Sequence, residues 1–120
     1  MSKHTPTEIN LNRRTRTLTV TFEDERFDYS CEYLRVYSPS AEVRGHGPGQ
    51  EVLQVGKENV NIDAIEPVGN YAIKPVFDDG HDSGIYSWDT LYQLGVHMEE
   101  NWQHYLDRLA ESGHERKFDA

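Results

Sequence analysis

The chain has 120 residues and a formal net charge of −9, with 12 Lys and Arg against 21 Asp and Glu. That length suits one domain with a modest core, and the acidic balance excludes a phosphate-tracking nucleic-acid binder and docking on anionic lipid. Hydrophobic residues make up only 36%, so the core must lean on 7 Tyr, 4 Phe and 2 Trp, each of which buries a large area.

Cys31 is the sole cysteine, which rules out an intrachain disulfide and a cysteine-based metal site within one chain. The first residues lack the apolar run of a secretory signal, and no window approaches the roughly 18 apolar residues that span a bilayer. The expected protein is soluble and cytoplasmic.

Thr17 to Phe22 alternates β-formers with period two and reads as a strand, paired with Glu8–Leu11 through a turn at 12–15. After a polar turn at 23–26, Phe27–Tyr29 reads as a short return strand. Ser30 then caps a brief helix over Cys31–Val36. Ser38-Pro39 reads as a second cap and first helical residue, starting a turn that ends at Gly45. Gly45–Gln50 is a loop on its glycine and proline content.

Val60–Ile65 and Tyr71–Phe77 read as strands joined at Gly69-Asn70, a pair suited to a tight hairpin. Pro75 places the second of them at an edge or a bulge, because it cannot donate to the ladder. Beyond the loop at 78–83, Ser87 caps one long helix whose apolar stripe includes Met98, Trp102, Tyr105 and Leu109. Gly95 interrupts this helix as a break or a close approach, and Gly113 ends it. The tail from 114 to 120 is expected to fray. The fold is therefore expected to be α+β: a small twisted, mainly antiparallel sheet, short helical turns and a long C-terminal helix. It forms a single domain over 1–120, with a core of 6–94 and a helical extension of 95–113.

These residues resemble a known family. Pro6-Thr7-Glu8-Ile9, Glu32-Tyr33-Leu34-Arg35, Ser38-Pro39-Ser40-Ala41-Glu42-Val43, Gly45-His46, Glu66-Pro67-Val68-Gly69-Asn70-Tyr71-Ala72 and Asp79-Gly80-His81-Asp82-Ser83-Gly84-Ile85-Tyr86-Ser87-Trp88 are similar to the gamma-butyrobetaine hydroxylase-like N-terminal domain. That family implies a small α+β fold. It occurs alone in bacteria, as the first domain of carnitine-pathway dioxygenases, and fused to P-loop ATPases of iron–sulfur cluster assembly. The resemblance also implies what is missing. In the dioxygenases three cysteines and one histidine hold a structural zinc; the matching positions here are Ser38, Ser40 and Val43, with His81 retained. Serine is a poor zinc ligand at neutral pH and valine is none, which argues against a zinc site of that type. No His-x-Asp or His-x-Glu of a facial triad occurs, so a hydroxylase is rejected.

Two site readings follow. The first is a metal site for iron or zinc built on His81 and Asp79, with His46 as a further ligand if the fold brings the loops together. The favoured alternative has Asp79 bonding loop amides and His81 packing across the turn. The second is a docking stripe of Met98, Trp102, Tyr105 and Leu109, which packs on the protein's own sheet or meets a partner, a second copy of the chain included. Cys31 is read as a buried small hydrophobe, with no cation close enough to activate it. The expected function is a non-catalytic adaptor with protein partners, iron–sulfur assembly factors among them. The alternative is a metal-binding accessory domain.

Overall fold

The computed structural model describes residues 4–45 and 51–118. The first hairpin forms as the alternation dictates: β1 (Glu8–Asn12) pairs antiparallel with β2 (Thr17–Thr21), setting Ile9 opposite Val20 and Leu11 opposite Leu18. Asn12 specifies the turn, its side-chain oxygen accepting the N–H groups of Arg14 and Thr15 at 3.1 Å each. β3 (Arg26–Ser30) completes a sheet ordered β1-β2-β3.

Ser30 ends β3 and caps α1 (Cys31–Val36), accepting the Tyr33 N–H at 3.0 Å. The second cap falls two residues later than the Ser-Pro pair suggests. Ser40, not Ser38, accepts the Glu42 N–H at the start of α2 (Ala41–Arg44). Ser38 is instead occupied inside the fold.

A second sheet, ordered β4-β5-β6, comprises β4 (Ile62–Val68), β5 (Ala72–Phe77) and β6 (Tyr86–Ser87). The strands thus form two three-stranded sheets rather than one. They are joined by side chains where a ladder would otherwise run. Arg13, in the β1–β2 turn, donates to the Ile62 carbonyl at 3.1 Å, and Asn61 donates to the Arg13 carbonyl at 2.9 Å. Pro75 is tolerated in the middle strand because β6 pairs only with Ala72 and Ile73, leaving Pro75 without a second neighbour.

The expected long helix is two helices, α3 (Trp88–Val96) and α4 (Met98–Ser112), meeting at His97. Ser87 caps α3 as expected, accepting the Thr90 N–H at 3.1 Å, and Gly113 ends α4 in the left-handed region at φ 76°. The break is bridged by tyrosines. Tyr29 donates to the Leu91 carbonyl, Tyr33 to Leu94 and Tyr37 to Asn101, at 2.5, 2.6 and 2.7 Å. These bonds satisfy hydroxyls that would otherwise be buried unpaired, and one of them serves an orphan carbonyl of the last turn of α3.

The main core joins both sheets to α1 and α3 through Leu18, Tyr29, Leu34, Ile62, Tyr86 and Leu91. A smaller cluster of Val36, Tyr105 and Leu109 sits between α1 and α4. No helix among the described residues is long and apolar enough to cross a membrane.

Candidate functional site

The loop after β5 carries the ionisable cluster that stands out in the sequence. Asp79 accepts from Arg35 at 2.8 Å and Lys57 at 2.6 Å through one oxygen, and from the His81 backbone N–H at 3.1 Å through the other. Burial alone would raise this carboxyl. The bonds from Lys57, the His81 amide and Arg35, with the Arg35 charge, outweigh it and hold the pKa at about 2.

His81 is buried and points the other way. Its Nε2 lies 2.9 Å from the Ser38 hydroxyl, and its Nδ1 3.3 Å from the Glu42 carboxylate. Ser40 bonds Ser83 at 2.8 Å beside it. The positions that family resemblance aligns with metal ligands therefore converge, and hydrogen bonds now link them. Asp79, committed to Arg35 and Lys57, meets His81 through the histidine's main chain, not its ring. His46 lies outside the described residues. Among the described residues no group of three or more His, Cys, Asp or Glu is gathered closely enough to hold a metal ion.

Ser38, His81 and Glu42 form the row of a serine nucleophile, its base and an orienting acid. Burial decides against that chemistry. Ser38 is 1% exposed, its oxygen also accepts the Ser40 N–H, and Gly84 lies so close that a β-carbon there would sit 2.4 Å from that oxygen. An acyl group has no room to reach it. Cys31 is equally inert: burial pushes its thiol up to about 11, so almost no thiolate forms at neutral pH.

Burial, followed by the Arg35 charge, holds His81 below the ordinary imidazole value of 6.5, against the opposing pull of Glu42 and Asp79. A depressed folded-state pKa means the unfolded chain binds the proton more readily. The His81 contribution to stability is therefore complete above pH 6.5 and declines as pH falls from there through the folded value. Asp79 adds a second contribution, fully present above its ordinary 3.8 and lost as pH falls through about 2. His81→Asn should flatten the first decline in urea midpoints taken across that range. Parallel profiles for the two proteins would remove His81 as its source.

The stripe of α4 is covered from within the chain. Tyr105 and Leu109 are buried against Val36, while Trp102 and Met98 are half-buried beside the main core. Tyr105 and Leu109 thus lie outside any exposed patch, because α1 already provides the apolar surface they need. The tail expected to fray is held as well, as far as residue 118. Arg116 bonds the buried Glu32 carboxylate at 2.9 and 2.5 Å, and its guanidinium lies 5.1 Å from the Trp102 ring centre and 4.7 Å from that of Phe118.

The open concavity lies beside the Val36–Tyr105–Leu109 cluster, and Val36 and Tyr105 are part of its wall. A cleft of about 510 Å³ runs between α2, the extended stretch 51–54, and α3 with α4. Val36, Val43, Leu53 and Leu94 contribute its apolar lining. Thr90, Gln93, His97, Asn101, His104 and Arg108 line it along the helices, and Arg44 stands on the α2 side. The motifs in the sequence point to the apolar stripe of this region, and the polar row goes unmarked. Its signal was available: amide, imidazole and guanidinium side chains recur every three or four residues, the spacing of one helical face.

The chain belongs to the gamma-butyrobetaine hydroxylase-like N-terminal family, whose model matches residues 9–92. Two NMR solution structures are similar to it over 99% of its length. One is 45% identical with a TM-score of 0.85 and is covered over 94% of its own chain; the other is 47% identical with a TM-score of 0.81 and is covered over 96%. A crystal structure of a protein of unknown function in the DUF971 family, from Acidithiobacillus ferrooxidans ATCC 23270, is 33% identical over 75% of this chain and 91% of its own, with a TM-score of 0.63. No curated protein matches the chain. The family is that of the hydroxylases' N-terminal domain, not of their catalytic domain.

Proposed function

We propose that this domain is a non-catalytic binding module that docks a partner protein in the cleft between α2 and the α3–α4 pair. The supporting observation is that cleft, which joins an apolar lining to a row of polar side chains. The groups that would support covalent chemistry are unsuited to it: Ser38 and Cys31 are both buried. The family's occurrence beside iron–sulfur assembly ATPases makes a factor of that maturation pathway the partner to look for, and the module's role that of an adaptor.

Gln93 and His104 are exposed along the cleft, whereas Asn10 is exposed on β1, outside its lining. A photo-crosslinking phenylalanine placed at 93 or 104 in cells should trap a discrete adduct that the same residue at position 10 does not. Adducts from position 10 alone, or from none of the three, would refute the cleft as the docking surface.

A further inference from the structure

We infer that the cleft takes an extended, acidic segment of a partner polypeptide, paired along Glu51–Val55; this rests on the binding-module reading above. Three observations carry it. The first is the backbone of 51–55. This run is neither helix nor strand, and of its amides only that of Val52 bonds to another backbone group, the Val43 carbonyl at 2.8 Å. The Glu51 and Val52 carbonyls accept from the side chains of Arg108 and Gln54, at 3.0 and 3.1 Å. The amides of Leu53, Gln54 and Val55 have no partner among the described residues. A row of free main-chain donors beside a cleft is what an added strand recognises.

The second observation is side-chain direction. Leu53 packs against the Val36–Tyr105–Leu109 cluster and anchors the run, while Val52 and Val55 are 50% and 46% exposed. Three residues apart in an extended run, the two valines face opposite sides, Val52 toward the cleft, and an added strand would cover apolar surface on both.

The third observation is charge. Arg13, Arg26, Arg35, Lys57, Lys74 and Arg116 each have a carboxylate within ion-pair distance. Arg14, Arg16, Arg44, Arg108 and Lys117 have none among the described residues, and of these Arg44 and Arg108 line the cleft. Glu51 and Asp89 line the same cleft. In a chain of net charge −9, a cleft holding two unpaired guanidiniums favours carboxylates on the incoming segment over lysines. Guanidinium also suits carboxylate by its planar, two-pronged geometry.

The test is a titration of the isotope-labelled full chain, followed by amide NMR, with three probes: a capped eight-residue peptide alternating Val and Glu, its Val–Lys counterpart, and citrate. The Val–Glu peptide should shift the amides of 51–55 and slow hydrogen exchange at Leu53 and Val55. Arg44→Gln combined with Arg108→Gln should weaken it about tenfold with an unchanged melting curve; Gln at 108 keeps a donor for the Glu51 carbonyl. Equal binding of the Val–Lys peptide would overturn the charge argument. Shifts from citrate alone would mean a small-anion pocket and overturn the segment. If no peptide binds while crosslinks still form at 93 and 104, this inference fails and the binding module stands. Loss of both removes the parent reading too.

Discussion

Arg116→Ala is expected to cost about 2–3 kcal/mol of unfolding free energy, although only four residues of the sequence follow it. Glu32 is 5% exposed in α1 and accepts two bonds from Arg116 and one from the Tyr105 hydroxyl at 2.7 Å. Removing the guanidinium strands a carboxylate in low dielectric, and that desolvation exceeds the value of the ion pair itself. Arg116 is about one quarter exposed, so the loss falls below that of a fully enclosed pair. The same change releases Trp102 and Phe118, both of which stack on the guanidinium. Lys117 would stay tied through its amide to Glu58 at 2.6 Å and its carbonyl to Asn59 at 2.8 Å, which limits the loss to Arg116 and its stacked rings. Urea unfolding followed by tryptophan emission measures this. Arg116→Ala with Glu32→Gln should recover part of the loss, because the stranded charge is gone. A single variant within 0.5 kcal/mol of the parent, the range of ordinary surface changes, would show that the tail does not hold α1 to α4.

Gly95→Ala is expected to cost about 1–3 kcal/mol, against a helix preference that by itself favours alanine by about 1 kcal/mol. A β-carbon at position 95 would lie 2.4 to 2.7 Å from three atoms of the Phe27 ring, much closer than carbon atoms pack. Phe27 cannot swing away freely, since it touches the rings of Phe22, Tyr29 and Tyr92. Either α3 lifts from β3 or the aromatic cluster repacks. Phe27→Leu combined with Gly95→Ala should cost less than the sum of the two single changes, because the smaller side chain vacates the contested space. Strict additivity, or a Gly95→Ala protein as stable as the parent, would mean that β3 and α3 are not pressed together at this point.

Most of the element order is legible in the residues, because it depends on local rules. Ser30 and Ser87 cap helices through an N–H three residues on, Gly113 ends one through its left-handed backbone, and the alternation in β1 and β2 follows from the two faces of a strand. Gly95 is visible as an anomaly too, though not as the contact with Phe27. Ser38-Pro39 misleads for the same local reason: it has the form of a cap, but His81 draws the Ser38 hydroxyl away.

What the residues could not reveal were partnerships between distant positions. Arg116 and Glu32 are 84 residues apart, and Ser38 and His81 are 43 apart. Nothing in composition or periodicity pairs them, since such bonds form only after the helices have packed. The division into two sheets, the break at His97 and the cleft have the same origin. Local hydrogen bonding and hydrophobic period determined which elements form. Long-range burial decided which faces they cover, and so which polar face of α3 and α4 was left lining an open cleft.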